Sequence, residues 1–595
     1  MCGIFGLVTS RDGEIGPLLM EAGRWLAYRG YDSAGSATLS PAGIDLRKDV
    51  GRVDQVGARL NFAAMHGLRG IVQVRWATFG QLAPRNAQPH LDCDGDLVGA
   101  HNGNIINSVQ LHEQLRQAGH TLRGENDGEI CVHVVERHYD QVHDMVQAIR
   151  LAYAELAGDY AFVITHRDEN RLYAIKKGSG LVVGIGDDMT CCSSDLPSIL
   201  PFTRRVLRVQ DGEIVILDPD GVQVRRVSDG APVEREAHVF EGEVPTADKG
   251  EFPHFILKEI YDQPRAARDL LRWLADSAQV ARFLEALGGD RPVFLVGSGT
   301  SFHACLLGSY YFGQIAGRPM IATLPAQFIE QYGPGLGAEA TAVFVSQSGE
   351  TKDVLNAVNL ARAKGTRVLG ILNVLGSTLM DAADLYLPLN CGYEMSVAAT
   401  KTFLNQSLLF LYLAQRLAGA DSGQLAQLPD LLEQTLAQVS ASLGRVTERL
   451  AAWDDLYYLG YGLTHPVALE GALKLKEITY AHCEGMLSSE FKHGPLSAVQ
   501  PGYPVVFISA PKDVEMIINH VNEVTCRAGV AIAIAERDER LASNVQEYLE
   551  VPTAGDWINP LLASVATQLI AYRMSVQRGI NPDFPRNLSK TMTVD

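Results

Sequence analysis

The sequence predicts an α/β protein of three or four domains, two of which are copies of one parallel-sheet unit. At 595 residues the chain is too long for a single hydrophobic core. Short apolar strands at 293–297, 343–346 and 369–372 recur at an offset of 163 residues, at 456–460, 506–509 and 532–535. Continuous apolar strands separated by helical stretches are typical of parallel sheets covered by helices on both faces.

The composition restricts the class of protein and of partner. With 47% hydrophobic and 20% charged residues, the chain is expected to be an ordinary globular protein. A net charge of −18 spread along the chain argues against nucleic acid or an anionic membrane as a partner. Nine cysteines without a CxxC pair predict neither a disulfide scaffold nor a zinc site, and no metal or other cofactor is expected. Without a signal peptide or a membrane-spanning run, a cytoplasmic location is expected.

The N-terminus carries the first candidate for chemistry. Removal of Met1 leaves Cys2 with both a thiol and a free α-amine. Because an α-amine has a pKa near about 8, it is partly neutral and can accept the thiol proton. The alternative is an arbitrary residue on a frayed terminus. Residues 4–8 are typical of a strand, which favours a terminus buried in a sheet.

Three further segments of the first domain hold candidate polar residues. Arg75 follows the predicted strand 70–74 and would either bind a carboxylate or form a surface ion pair. Asn102-Gly103 would either form a tight turn or, with the Asn102 amide and the Gly103 N–H, an oxyanion hole. Asp127 precedes an apolar helical run, and would either cap that helix or bind an ammonium group.

In their order along the chain, these segments resemble a known family. The motifs MCGI, RWAT.G, AHNG and END resemble the N-terminal-nucleophile, or type 2, glutamine amidotransferases. The resemblance implies an αββα sandwich over residues 2–218. In that fold Cys2 attacks the side-chain amide of glutamine and releases ammonia.

The resemblance also implies roles for the other segments. Asn102 and Gly103 stabilise the tetrahedral oxyanion. Arg75 and Thr78 hold the α-carboxylate of glutamine, and Asp127 holds its α-amine.

Two neighbours of Arg75 are singled out by the same resemblance. Trp76 is implied to gate the passage of ammonia towards a second site. Phe79 is a departure, because the sugar-synthase branch of the family usually has His there. Glutamine hydrolysis is expected to survive this departure, and glutamine affinity is the property expected to change.

The remaining chain is divided by composition and by the repeat. Residues 219–252 are rich in turn formers and charge and are predicted to be a linker. The two copies are placed at 253–425 and 448–585, followed by a C-terminal tail at 586–595.

The loops of the first copy predict a phosphate site. Segments 297–301 and 346–351 each follow a strand and precede a helix, where backbone N–H groups and the helix dipole favour an anion. Helix capping alone explains one hydroxyl, but it poorly explains six hydroxyl residues on two loops. The second copy has Ser-Ala-Pro-Lys at 509–512, so it lacks this cradle.

The second copy and the tail hold candidate acid–base residues. Lys474 and Glu477 are three residues apart and share one face of a predicted helix. The alternative for this pair is an ordinary solvated ion pair. His493 lies in a polar loop, and Lys590 lies in the ordered-looking tail.

Motifs in this half resemble the sugar-isomerase (SIS) half of the glucosamine-6-phosphate synthases. They are SQSGET, VA.TK.F, ALEGALKLKEI.Y, E.KHGP and PRNL.K..TV. With the first domain, the resemblance covers nearly the whole chain in the same order. It implies two tandem doubly wound SIS domains and the reaction of fructose 6-phosphate with glutamine, which gives glucosamine 6-phosphate and glutamate.

This resemblance implies the roles of the second half. Lys590 forms a Schiff base with the C2 ketone, Glu477 moves a proton between C1 and C2, and Lys474 lies near the enolate. His493 assists ring opening from the partner subunit, which implies at least a homodimer. The implied sugar-phosphate ligands are Ser301, Ser346, Gln347, Ser348, Thr351, Val397, Ala399 and Ser589. Ala399 is a departure, because the family commonly has Ser there, and it leaves sugar specificity open.

Two alternatives remain at this point. In the first alternative, the chain aminates a related keto-sugar phosphate. The departures from the family pattern at Phe79 and Ala399 motivate this alternative. In the second alternative, the chain is a non-catalytic sugar-phosphate sensor. The presence of four candidate catalytic residues argues against it: Cys2, Glu477, His493 and Lys590.

Overall fold

The computed structural model describes residues 2–241 and 249–590 and confirms the predicted α/β class. The chain divides into two compact units, one before the segment 242–248 and one after it. Among the described residues, no helix is both long enough and apolar enough to cross a membrane.

The first unit contains two antiparallel sheets with helices on their outer faces. Its strands are β1 Gly3–Glu14, β2 Ser33–Ser40, β3 Gly43–Val50, β4 His66–Arg75, β5 His90–Leu91, β6 Leu97–Ile105, β7 Gly158–His166, β8 Leu172–Lys177, β9 Val182–Ile185, β10 Met189–Ser193, β11 Arg205–Arg208, β12 Glu213–Asp218, β13 Gly221–Arg226, β14 Pro232–Val233 and β15 His238–Val239. Its helices are α1 Gly16–Leu26, α2 Val53–Arg59, α3 Ser108–Gln117, α4 Asp127–Val142 and α5 Met145–Glu155.

The sheets stack to give the αββα sandwich that the sequence predicts. One sheet has the order β15-β11-β9-β10-β1-β4-β2-β3, and the other has β14-β13-β12-β8-β7-β6-β5. Ile4, Ile71 and Ala100 belong to the apolar layer between the two sheets. Helices α1 and α2 cover the first sheet, and α3 to α5 cover the second. Because strand β1 is covered on both faces, its first residues are continuously apolar and do not alternate with polar ones.

The predicted linker differs from the structure in its first part. Strand β13 pairs with β12 across a tight hairpin from Asp218 to Gly221, and β14 and β15 extend the two sheets. Residues 221–239 therefore belong to the first unit. Turn formers at 218–221 correctly indicated a turn, but they form a hairpin turn within a sheet. The part of the predicted linker at 242–248 lies outside the described residues, as does the end of the tail at 591–595.

The second unit contains two parallel sheets surrounded by helices. Its strands are β16 Val293–Gly297, β17 Ile321–Thr323, β18 Thr341–Ser346, β19 Arg367–Leu372, β20 Leu385–Pro388, β21 Asp455–Gly460, β22 His482–Leu487, β23 Pro504–Ser509, β24 Val530–Glu536 and β25 Glu547–Val551. Its helices are α6 Phe255–Tyr261, α7 Gln263–Asp276, α8 Ala278–Leu287, α9 Thr300–Ile315, α10 Pro325–Gln327, α11 Lys352–Ala363, α12 Thr378–Ala382, α13 Lys401–Leu417, α14 Leu428–Ala451, α15 His465–Thr479, α16 Val514–Thr525, α17 Glu539–Ala542 and α18 Asn559–Gln577.

The internal repeat is confirmed strand by strand. The first sheet has the order β17-β16-β18-β19-β20 and the second has β22-β21-β23-β24-β25, which is the same order at the same offset. One hydrophobic core includes buried residues of both copies, from Ile256 to Met574. The copies are therefore repeated in sequence but share one apolar interior.

Candidate functional site

Cys2 lies at the start of a central strand and is not frayed. Gly3 pairs with Val74 of β4, and Cys2 is 9% exposed. The Cys2 thiol donates to the carbonyl oxygen of Trp76 at 3.6 Å, and Arg29 Nε donates to the Cys2 carbonyl oxygen at 3.1 Å. The β1–β4 pairing thus holds the thiol against the loop that follows β4.

That loop begins at Arg75, which is buried at 1% exposure, so the surface ion-pair interpretation is wrong. Arg75 Nη2 donates to the Phe79 carbonyl oxygen, and Nη1 has no hydrogen-bond partner among the described residues. Thr78 is exposed, as is the Phe79 ring. Because Phe79 contributes its backbone to this contact, its side-chain departure leaves the contact intact. A buried guanidinium with a free N–H is suited to receive a carboxylate.

Asn102 and Gly103 lie inside β6, so the tight-turn interpretation is wrong. Asn102 is 2% exposed, and neither atom of its side-chain amide has a hydrogen-bond partner in the described part of the chain. Gly103 has φ +113°, and a Cβ there would lie 2.1 Å from the Asp159 carbonyl oxygen, so only glycine fits. A buried amide without a partner is costly, which indicates that a ligand completes its hydrogen bonds.

Asp127 is the first residue of α4, and its neighbour Asn126 caps the helix. The Asn126 side chain accepts from the Gly128 N–H at 2.9 Å, so the capping interpretation of Asp127 is wrong. Asp127 Oδ2 accepts from the Ile105 N–H at 3.1 Å and lies 3.5 Å from His101 Nε2. Burial lowers the pKa of His101 and outweighs the opposing effect of Asp127. The Asp127 carboxylate is thus fastened to the strand that presents Asn102.

In the second unit, the two predicted phosphate loops lie side by side. They follow β16 and β18, which are adjacent parallel strands, and they precede α9 and α11. Ser346 Oγ accepts from the Gly349 N–H at 3.0 Å and lies 3.0 Å from Thr351 Oγ1. Gln406 Nε2 donates to Ser301 Oγ at 3.0 Å, and Gln347 and Ser348 are half-buried. Hydroxyls and helix N-termini therefore converge at the carboxyl edge of the sheet, where anions bind.

Lys474 and Glu477 belong to a buried polar cluster where α15 of the second copy meets α9 of the first. Lys474 Nζ lies 2.5 Å from Glu477 Oε2 and 3.4 Å from Glu470 Oε1. It also donates to Thr300 Oγ1 at 3.1 Å. Because the Lys474 side chain is 2% exposed, the interpretation as a solvated ion pair is wrong.

The protonation of this cluster follows from burial and from its neighbours. Burial lowers the pKa of Lys474, but Glu470 and Glu477 outweigh it and the net pKa is raised. Burial raises the pKa of Glu477, and Lys474 opposes this shift only in part. A lysine of raised pKa beside a carboxyl of raised pKa is suited to a site of proton transfer.

Lys590 is paired with a residue that the sequence did not single out. Its Nζ contacts Glu394 Oε2, and its side chain is 3% exposed. Glu394 also accepts from the Thr400 N–H at 2.9 Å and the Thr402 hydroxyl at 2.8 Å. Burial would raise the pKa of Glu394, but Lys590 and these donors hold it well below its ordinary value. Glu394 closely precedes the VA.TK.F motif, which was the available signal.

The other predicted residues fall into two groups. Val397 and Ala399 lie in the segment between Glu394 and Lys401, and Ser589 adjoins Lys590. His493 is exposed at the end of a 3-10 turn, Ser488–His493. No hydrogen bond or ion pair joins His493 to Lys474 or Glu477 in the described chain. Glu470 and His303, whose Oε2 and Nδ1 atoms lie 2.8 Å apart, complete the cluster and were missed, since each resembles an ordinary helix residue. Thr300 was predicted only as part of the phosphate loop 297–301.

Comparisons with known proteins agree with this division. The glutamine amidotransferase domain family matches residues 74–199, and the SIS domain family matches 289–416 and 449–578. Among solved structures, the C-terminal domain of glucosamine-fructose-6-phosphate aminotransferase from Francisella tularensis is similar at 27% identity and a TM-score of 0.51. That similarity covers 57% of this chain and 100% of the other chain.

Two curated relatives match over their whole length. The glutamine–fructose-6-phosphate aminotransferase (isomerizing) of Methanothermobacter thermautotrophicus is 39% identical, with 100% of both chains covered. The protein of the same name from Aquifex aeolicus is 38% identical, again with 100% of both chains covered. The chain therefore belongs to the family of isomerizing glutamine–fructose-6-phosphate aminotransferases.

Proposed function

We propose that the chain converts glutamine and fructose 6-phosphate into glutamate and glucosamine 6-phosphate, with the residue roles given below. The observation that carries the proposal is the similarity to enzymes of this name over 100% of both chains. The first unit would supply ammonia and the second would use it.

In the first unit, Cys2 would attack the glutamine side-chain amide after its thiol proton passes to the α-amine. The free Asn102 amide and the Gly103 N–H would then bind the oxyanion of the tetrahedral intermediate. The unpaired N–H of Arg75, with Thr78, would receive the α-carboxylate, and Asp127 would receive the α-amine. Support comes from the burial of Cys2, Asn102 and Arg75 and from the unpaired side-chain atoms of Asn102 and Arg75.

Ammonia is useful to the second unit only as the free base. Trp76 follows Arg75 directly, its carbonyl oxygen accepts from the Cys2 thiol, and its side chain is half-buried. We propose Trp76 as the residue that opens or closes the exit for ammonia. Exclusion of water there would keep ammonia unprotonated.

In the second unit, the loops after β16 and β18 would bind the sugar phosphate. Ser301, Ser346, Gln347, Ser348 and Thr351 provide hydrogen-bond donors there. The pocket for the sugar itself would be lined by Val397, Ala399 and Ser589.

Lys590 would form the Schiff base with the C2 ketone, which requires a neutral amine. In the structure Lys590 Nζ contacts the Glu394 carboxylate, whose pKa is held well below its ordinary value. Sugar binding would therefore have to separate this pair before the amine attacks the carbonyl. Glu394 is the carboxylate next to the amine that would influence this step.

Proton transfer between C1 and C2 would fall to Glu477. Its raised pKa suits a group that first accepts and then returns a proton. Lys474, held by Glu470 and Thr300, would stabilise the negative charge of the enolate.

His493 would act from the partner subunit of a homodimer. It is exposed on its own chain and lies in the polar loop after β22. Co-expression of His493→Asn and Lys590→Arg chains tests this arrangement. Shared sites should give about a quarter of wild-type activity, because half of the dimers are mixed and each has one intact site. If the sites are not shared, every site contains one of the two substitutions. The mixture should then be no more active than the two variants measured separately.

The reaction is tested by counting both products. Equal amounts of glutamate and amino-sugar phosphate, with little glutamate when the sugar is absent, are expected. Glutamate without amino sugar would contradict the substrate assignment and favour another keto-sugar phosphate. Neither product would favour the sensor. As a control, Cys2→Ala should abolish glutamine-dependent synthesis and keep isomerase activity.

A further inference from the structure

A second cluster of chemically active side chains lies in the first unit, where α4 meets the β5–β6 and α3–α4 loops. It is named here the Cys93 cluster and consists of Cys93, His120, His133 and Glu136. One candidate ligand atom from each residue lies within 4.8 Å of all the others. None of the four has a role in the proposed reaction.

The distances in the cluster resemble the edges of a tetrahedral metal site. Cys93 Sγ lies 3.5 Å from His120 Nδ1, 3.7 Å from His133 Nδ1 and 3.4 Å from Glu136 Oε2. Ideal zinc bond lengths predict sulfur-to-nitrogen and sulfur-to-oxygen edges of about 3.6 Å. Glu136 Oε2 lies 2.8 Å from His120 Nδ1 and 2.6 Å from His133 Nδ1, and an ion would widen both to about 3.3 Å.

The chemistry of the donors selects the ion. One thiolate, two imidazoles and one carboxylate suit zinc, whereas an oxygen-rich set would suit magnesium or calcium. Thiolate and carboxylate charges together would neutralise a divalent ion. We propose that the Cys93 cluster binds one zinc ion with four protein ligands. Binding would form one zinc–sulfur, two zinc–nitrogen and one zinc–oxygen bond, and would release to solvent the Cys93 thiol proton and the protons between Glu136 Oε2 and the two Nδ1 atoms.

The surroundings of the cluster support such a site. His133 Nε2, on the far side of its ring, lies 3.9 Å from Glu129 Oε1, where a carboxylate commonly orients a metal-binding histidine. The Thr121 N–H donates to Cys93 Sγ at 3.3 Å, and the Cys93 N–H donates to Glu136 Oε1 at 2.8 Å. His133 is fully buried and Glu136 is 5% exposed, so neither is an ordinary surface group.

The position of the site gives the ion a structural task. Cys93 lies between β5 and β6, His120 lies between α3 and α4, and the other two ligands lie on α4. An ion would therefore fasten three segments, and one of them leads directly to Asn126 and Asp127 at the start of α4. Loss of the ion is expected to loosen the segment before Asp127 and to raise the KM for glutamine.

The competing explanation is a cluster held by hydrogen bonds alone, with protons in place of the ion. Bound metal in the tag-free full-length chain distinguishes the two. After equilibration with zinc and removal of free ion, mass spectrometry of the metal should find about one zinc per chain. Cys93→Ser and His133→Ala should each lose most of it, and Cys526→Ser, at an exposed cysteine, should keep it.

Cobalt provides a second readout that does not depend on activity. Co²⁺ in the wild-type chain should show the strong visible absorption of a tetrahedral site and a thiolate charge-transfer band. Cys93→Ser should lose that band. A wild-type chain without stoichiometric zinc, or zinc retained by both Cys93→Ser and His133→Ala, would overturn the proposal. Because bound metal is measured, the result is independent of the proposed amino-sugar synthesis.

Discussion

The two SIS copies have the same strands in the same order, but their equivalent positions carry different chemistry. At the offset of 163 residues, Lys474 and Glu477 of α15 correspond to Tyr311 and Gln314 of α9. Glu470, which pairs with Lys474, corresponds to Leu307 in the apolar core. The buried polar cluster around Lys474 therefore has no polar counterpart at the core positions Leu307 and Tyr311 of the first copy.

The same contrast extends to the loops. Glu394, which pairs with Lys590, corresponds to Trp557, whose carbonyl oxygen accepts from the Tyr311 hydroxyl at 2.9 Å. Gln347, Ser348 and Thr351 correspond to Ala510, Pro511 and Val514. The apolar strands specify the same fold in both copies. The residues of the loops and of one face of α15 differ between the copies, and these differences decide which part of the site each copy contributes. This contrast makes each copy an internal control for the other.

The largest expected effect is at Glu477. Glu477→Gln removes the proposed proton carrier and should lower amino-sugar synthesis by about 10²- to 10⁴-fold. Gln314→Ala, at the equivalent exposed position of the first copy, should leave the rate unchanged. Steady-state rates with saturating substrates measure both. Equal losses in the two variants would mean that the copies are not divided in this way.

The next effect is at the loop after β18. Ser346→Ala should raise the KM for fructose 6-phosphate by about 10- to 100-fold, because a hydrogen bond to a charged group is lost. Ser509→Ala removes the equivalent hydroxyl of the second copy, which donates to the Ala510 carbonyl oxygen, and should leave this KM unchanged. A KM that rises only in Ser509→Ala would reverse the assignment of the phosphate loop.

A smaller effect is expected at Ala399, where the family commonly has serine. Ala399→Ser would add one hydroxyl to the segment between Glu394 and Lys401. If that hydroxyl reaches the sugar, one neutral hydrogen bond should lower the KM by about threefold. Competition between fructose 6-phosphate and a related keto-sugar phosphate measures the effect. An unchanged preference would show that Ala399 does not set sugar specificity.

The smallest effect concerns the pH dependence of stability. Burial raises the pKa of Asp513 from its ordinary value of 3.8 to about 6, and the equivalent residue Glu350 instead accepts two hydrogen bonds from Thr378. Between pH 3.8 and about pH 6, Asp513 keeps a proton in the folded chain and loses it in the unfolded chain. The free energy of unfolding therefore falls as pH rises through this range. Asp513→Asn should therefore raise Tm relative to wild type at pH 8 but not at pH 4. Glu350→Gln should give no such gain.

Much of the fold was predictable because each apolar strand is a continuous segment of the sequence and the strands recur at a constant offset. The hairpin at β12–β13 was not predictable. Strand β13 is polar and lies near a sheet edge, so its sequence resembles that of a turn-rich linker. Asn102-Gly103 likewise signals a turn locally. Pairing of β6 with β7 instead keeps these residues extended, and only the tertiary structure shows this.

The site was predictable as separate motifs, but its internal partners were not. Nothing in the sequence near Lys590 identifies Glu394, and Glu470 reads as one more acid on a helix. The Cys93 cluster was missed for the same reason, since its ligands come from two loops and one helix and only His133 and Glu136 are close in sequence.

The common apolar interior of the SIS copies has a consequence for how this half unfolds. Leu307, Leu463 and Val467, from both copies, are buried in one core that neither copy completes alone. A fragment with a single copy would expose that surface and leave Glu470 and Lys474 without partners from α9. Heating should therefore melt residues 249–590 in one cooperative transition, although the sequence divides them into two similar modules. A single transition would mean that the duplicated modules form one thermodynamic unit.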